Sequence, residues 1–147
     1  MALSVYLDAS VLVGLFLEDP FSAQAEGLFR SGSAIPVVSD FAAAEFASAA
    51  ARRVRTGEVA ADAAREAFAD LDSWLLGGVQ RLETTSADIF AAAGFVRRLD
   101  LNLRTPDAIH IALSQRAEAV LATFDQRLSV AAERLGIAVE PAPDANR

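Results

Sequence analysis

The chain has 147 residues, 13 basic against 20 acidic side chains and a net charge of −7, enough for one domain with its own core but opposed to loose electrostatic binding of nucleic acid. It lacks cysteine, and every basic residue is arginine, which removes disulfides, thiolate zinc sites, cysteine nucleophiles and the P-loop with its lysine. Alanine makes up part of the apolar fraction of 53%, with the remainder compatible with a surface that a partner covers.

Short β-branched runs alternate with longer alanine-rich stretches, a pattern that predicts a parallel sheet with helices on both faces. The first strand is expected at Ser4–Leu7, followed by a helix from Ser10 to Leu17. Asp19-Pro20 breaks the chain before a second helix that runs through Phe29. Ile35–Val38 reads as strand two. Ser39 or Asp40 then caps a long helix to Arg55, which Gly57 ends. A helix from Ala60 to Leu76 stops at Gly77-Gly78. Val79–Leu82 is a weak third strand, and Ser86–Leu99 is helical. Thr105 caps a helix with Pro106 at its first position, running to Ala117. Ala119–Ala122 is strand four, Gln126–Leu135 is helical, and Ile137–Val139 is a last strand. Residues 1–140 are expected to form one domain, with 141–147 as a loose tail. Asp8 breaks the N-terminal apolar stretch and no basic region precedes it, so a secretory signal is not expected. No run approaches the roughly 18–20 apolar residues of a membrane span, and a cytoplasmic protein is expected.

Four acids stand out against this frame. Asp8 closes the apolar run Leu3-Ser4-Val5-Tyr6-Leu7, and Asp125 follows the strand-like Ala119–Thr123. Asp107 opens a helix after Thr105-Pro106, and Glu45 interrupts Phe41-Ala42-Ala43-Ala44-Glu45-Phe46-Ala47. Buried acids are costly unless paired, protonated or bound to a cation. Ligands of open parallel sheets bind beyond the carboxyl ends of the strands, where Asp8 and Asp125 would be delivered. Structural roles are open to each acid: Asp8 or Ser10 as a helix cap, Asp107 in a first turn that favours negative charge, Asp125 as another cap. For Glu45 the likeliest local partner is Arg52, two turns on. His110, the only histidine, reads as a packed residue or as support behind the acids. Arg52, Arg53, Arg55, Arg97, Arg98 and Arg104 either line a phosphate track or cover solvated helix faces.

The order of these motifs is similar to that of PIN-domain nucleases. Leu7-Asp8-Ala9-Ser10-Val11-Leu12 resembles the opening motif, and Ser39 followed by Glu45 resembles the second. Arg104-Thr105-Pro106-Asp107-Ala108-Ile109-His110-Ile111-Ala112 resembles the third, and Leu121-Ala122-Thr123-Phe124-Asp125-Gln126-Arg127-Leu128 the fourth. A compact single PIN domain most resembles the VapC toxins of type II toxin–antitoxin pairs. That resemblance implies a three-layer α/β/α sandwich with a central parallel sheet of four to five strands. It implies Mg2+ or Mn2+ held by Asp8, Glu45, Asp107 and Asp125, with Ser10 and Thr123 as supporting hydroxyls. It also implies an RNA substrate, a homodimer, and a VapB-like antitoxin through which alone the toxin would meet DNA.

An all-carboxylate site selects hard cations. The expected chemistry is hydrolysis of an RNA phosphodiester by metal-activated water, with Asp8 and Asp107 as core ligands, Asp125 completing the cation site, and Glu45 binding metal or orienting the water. Two alternatives stand beside it. One is a non-catalytic PIN-like module that binds RNA or a partner. The other is a phosphatase with Asp8 as nucleophile, since Leu7-Asp8-Ala9-Ser10 faintly resembles the haloacid-dehalogenase motif; that class expects a second acid where Ser10 stands.

Overall fold

The structure is a computed structural model and describes residues 2–141. Five parallel strands, β1 (Leu3–Leu7), β2 (Ala34–Ser39), β3 (Gln80–Leu82), β4 (Val120–Ala122) and β5 (Val139–Glu140), form one sheet in the order β3-β2-β1-β4-β5. Seven helices connect them: α1 (Ala9–Phe16), α2 (Ser22–Gly27), α3 (Asp40–Arg55), α4 (Ala61–Leu75), α5 (Ser86–Val96), α6 (Thr105–Arg116) and α7 (Gln126–Arg134). A short 3-10 turn spans Leu99–Leu101.

Alternation of side chains along each strand separates two cores. Val5 and Leu7 of β1, Val38 of β2 and Ala122 of β4 pack with Val11, Leu12, Phe46 and Leu71 from the α1, α3 and α4 layer. Tyr6, Val37 and Leu121, the intervening residues, pack with Ala92, Ile111, Leu113 and Leu128 from the α5–α7 layer. The α/β/α sandwich expected from sequence is therefore the observed architecture.

Several boundaries shift from expectation, α5 most of all, ending at Val96 and not Leu99, and three of the shifts have a local cause. Arg104 caps α6 in place of Thr105, because the Asp107 carboxylate reaches back to accept from the Arg104 N–H at 3.2 Å. Pro106 is thus the second helical residue. The helix after β1 starts at Ala9, with Asp8 as its cap. β5 begins at Val139 because Ile137 N–H still bonds the Ala132 carbonyl (3.0 Å) in the closing turn of α7. The expected tail, apart from Pro141, lies outside the described residues.

α1 and α2 approach closely at Gly14, where an added Cβ would stand 2.9 Å from Ala25 Cβ and 3.3 Å from the Phe21 carbonyl oxygen. Neither neighbour is the end of a flexible side chain. Gly14→Ala is expected to cost about 1–3 kcal/mol through overpacking, offset only in part by better helix propensity, and urea midpoints of the two proteins will measure it.

Candidate active site

Strand order reverses at β1. The chain winds outward through β2 and β3, then returns to place β4 on the other side of β1. A crevice forms outside the carboxyl ends of β1 and β4, the position where open α/β sheets bind ligands. Asp8 stands there, its N–H bonded to the Ala122 carbonyl at 3.2 Å.

Asp8 is almost entirely buried. One carboxylate oxygen accepts from Ser10 Oγ (2.6 Å) and from the Val11 N–H (3.2 Å); the other accepts from Thr123 Oγ1. Ser10 Oγ accepts in turn from Phe124 N–H, and Thr123 Oγ1 from Asp125 N–H, both at 3.0 Å. Two hydroxyls therefore staple the β1–α1 junction to the β4–α7 junction around one carboxylate. Burial pushes the Asp8 carboxyl above its ordinary range, and the three hydrogen-bond donors oppose that shift. Three of roughly four lone-pair positions on the carboxylate are used.

Asp107 is half-buried at the start of α6, which runs into β4 and so begins near the same sheet edge. Burial raises its pKa. The Arg104 N–H opposes this, and repulsion from Asp125 adds to it. Asp125 is exposed and caps α7, accepting from the Arg127 and Leu128 N–H groups. Glu45 lies in the second turn of α3, directly after β2. Its partner is not Arg52: Glu45 Oε1 accepts a hydrogen bond from His110 Nε2 across 65 residues of sequence. The capping roles open to Asp8 and Asp125 are both occupied.

Contacts and charge link members of the set: Asp107 feels the charge of Asp125, and His110 bonds Glu45. Among the described residues, no three Asp, Glu or His side chains form a ready-made metal cage. The donor set nevertheless fits a hard cation. Asp19, on the wall of a cavity that Asp125 also lines, and Asp88 take arginine partners, whereas none of the four acids does among the described residues. All four offer carboxylate oxygen, the donor that magnesium and manganese prefer.

Two adjoining cavities of about 310 and 290 Å³ share Ala9, Ala49 and Arg52; Asp125 lines one and Glu45 the other, while Asp8 and Asp107 line neither. The first reaches Ser10, Phe124 and Asp125, and the second reaches Glu45, Ser48 and Arg55. Phe21 and Phe124 stack at 4.8 Å on the first cavity's wall. A larger hollow near α4 is lined by Glu18, Glu58, Glu66 and Asp70 with no arginine, which suits no polyanion.

The PIN domain family model matches residues 5–134. The chain belongs to the PIN domain family. Ribonuclease VapC46 of Mycobacterium tuberculosis is 35% identical to this PIN domain over 139 residues, covering 92% of this chain and 95% of the relative. Among solved structures, M. tuberculosis VapC20, described as a sarcin–ricin loop cleaving toxin, superposes with a TM-score of 0.70 at 20% identity, covering 86% of this chain and 94% of its own. VapBC2 of Rickettsia felis, solved with a promoter DNA fragment, gives 0.64 at 12% identity, covering 93% and 96%. At these identities the structures speak to the fold.

Sequence reasoning singled out His110 and gave Ser39 as a helix cap and motif residue, but missed Tyr6, which links the two in a buried chain of hydrogen bonds. A lone tyrosine at an inward strand position was the available signal, because a buried phenol needs a partner.

Proposed function

We propose that this PIN domain is a Mg2+- or Mn2+-dependent endoribonuclease, the toxin of a type II toxin–antitoxin pair, acting in the cytoplasm as a homodimer and neutralised by a VapB-like antitoxin. The observation that carries this is a buried carboxylate, Asp8, cradled by Ser10 and Thr123 at the sheet's switch point and left without arginine. The family relationship to a ribonuclease and to toxin–antitoxin complexes supports the same reading. Exposed Ile89, Phe90 and Leu99 offer an apolar face for a second copy.

Asp8, Asp107, Asp125 and Glu45 would hold the cation. When bound, the divalent ion supplies a lowered water pKa and neutralises charge at the scissile phosphate. The chain's own residues do the rest. Ser10 and Thr123 fix the Asp8 carboxylate, and the α6 and α7 caps fix Asp107 and Asp125. Arg52, which makes no ion pair among the described residues, stands between the two cavities and takes a phosphate of the bound strand. Local arginines thus let an acidic protein engage RNA.

The direct test is cleavage of labelled RNA with magnesium, with manganese, and with a chelator. Cleavage that persists at full rate under chelation, or its absence with both metals, overturns the proposal. Arg52→Gln is expected to raise KM for RNA about 10-fold, the worth of one charge-assisted hydrogen bond, with kcat and Mn2+ affinity unchanged. Steady-state kinetics at two salt concentrations will measure it, and the variant should show the shallower salt dependence.

A further inference from the structure

Tyr6, Ser39 and His110 are all buried, and each finds polar partners. Tyr6 OH lies 2.8 Å from Ser39 Oγ and 2.7 Å from His110 Nδ1, while His110 Nε2 bonds Glu45 Oε1. Ser39 Oγ also accepts the Ala42 N–H at 2.9 Å as the cap of α3. Glu45 alone of the four is partly open, its side chain 32% exposed.

Proton bookkeeping fixes the direction of this chain. An ionised Glu45 carboxylate can only accept, so His110 Nε2 carries a proton and donates it. A neutral ring then has an unprotonated Nδ1, which accepts from Tyr6 OH. The phenol oxygen accepts from Ser39 OH, and Ser39 keeps a lone pair for Ala42. Every proton has an acceptor. With a proton on Nδ1, on a neutral or a charged ring, Nδ1–H donates to Tyr6 and Tyr6 to Ser39, and the buried Ser39 proton is left with no acceptor among the described residues, a costly arrangement. Phe41 packs edge-on to the imidazole at 5.1 Å and limits its rotation.

We propose that Tyr6 and His110 are positioning residues for Glu45: Tyr6 sets the imidazole tautomer, and His110 clamps one carboxylate oxygen so that the other faces the crevice. This rests on the reading of the four acids as a cation site. Glu45 then presents a single oxygen to cation or water, with its rotamer fixed before anything binds. Without the clamp, Glu45 swings on a partly exposed helix face and loses that geometry, as outer partners of metal ligands ordinarily illustrate.

The chain contains one histidine and one tyrosine, so nitrogen-labelled histidine gives a spectrum from a single imidazole. In the full-length protein with Mg2+ at neutral pH, that spectrum is expected to show the proton on Nε2 and a bare Nδ1. His110→Leu is expected to weaken Mn2+ binding, read by electron paramagnetic resonance, and to lower kcat, each by about 10–100-fold, with KM for RNA unchanged. His110→Gln, which keeps an N–H donor within reach of Glu45, should recover most of both losses. Tyr6→Phe should give a smaller loss and a mixture of tautomers. A proton on Nδ1 overturns the proposal. So does a His110→Leu protein that melts earlier yet binds Mn2+ and turns over like wild type. If His110→Leu does not fold, the wild-type spectrum and the Tyr6→Phe and His110→Gln proteins decide alone. A wild type that binds no Mn2+ sinks the cation-site reading and this proposal together; variants that match a Mn2+-binding wild type sink only the latter.

Discussion

Asp107→Asn is expected to be inactive on RNA while its metal-free form is at least as stable as metal-free wild type. The loss of activity should be at least about 100-fold, since outer supports of a metal site are already worth 10–100-fold. The stability side follows from the direction of the pKa. Burial, then repulsion from Asp125, raises the Asp107 carboxyl in the folded state. The folded protein therefore binds a proton more readily than the unfolded chain, and metal-free stability falls as pH rises from the ordinary carboxylate range through the raised pKa. Asparagine removes that penalty and its side-chain oxygen still accepts the Arg104 N–H. Cation binding has the opposite slope. Protons compete for the same oxygens, so added Mn2+ should stabilise wild type more as pH rises, by about 2.7 kcal/mol once the ion reaches 100 times its Kd. Asp107→Asn should lose most of that gain. Melting curves with and without Mn2+ at pH 5 and pH 7.5 will measure both slopes. A large drop in Tm for the metal-free variant would mean that Asp107 serves the helix cap alone.

Arg116→Met is expected to be the most destabilising of the single changes considered. Asp88 is buried in the first turn of α5 and takes a bidentate pair from Arg116, Nε at 2.8 Å and Nη2 at 2.9 Å, besides two bonds from Thr85. Arg116 Nη2 also donates to the Glu83 carbonyl at 2.7 Å, so one guanidinium ties α6 to α5 and to the end of β3. Removing it strands a buried carboxylate. The cost is about 3 kcal/mol, at the low end for breaking a buried pair, because the arginine is 40% exposed and partly screened. A fall in Tm of about 6–12 °C follows for a domain of this size. The Arg116 hydrogen bonds hold the Asp88 pKa below its ordinary value. Their contribution is present above the unfolded carboxylate pKa and disappears as pH falls through the folded one, so wild type and variant should converge in acid. Equal Tm values at neutral pH would show the pair to be dispensable.

What the sequence made legible was whatever local chemistry dictates. An acid that directly follows an apolar strand is carried to the sheet edge by the strand itself, so Asp8 and Asp125 could be placed without coordinates. The alternation Val5-Tyr6-Leu7 already divides two faces, which is why a sandwich could be anticipated. What escaped was contact through space. Glu45 was expected to look along its own helix to Arg52, but α6 brings His110 to it from the other layer, and no helical spacing encodes that meeting. The α6 cap was misread for a related reason. Thr105 has the better capping hydroxyl, yet Asp107 reaches back one residue further and wins with its charge. Tyr6 looked like an ordinary strand residue, and Ser39 was read as a cap without its tie to Tyr6, because that value lies in whom they bond.

The Ser10 and Thr123 staples join segments more than a hundred residues apart, and β4 is an interior strand, seated between β1 and β5. During synthesis, a ribosome must therefore release the chain through β4 and Asp125 before the crevice exists. A nascent polypeptide stalled short of Val120 already carries three of the four acids, yet Asp8 has neither its Thr123 donor nor a wall beside it. The candidate site is thus expected to assemble late and all at once, when β4 docks beside β1.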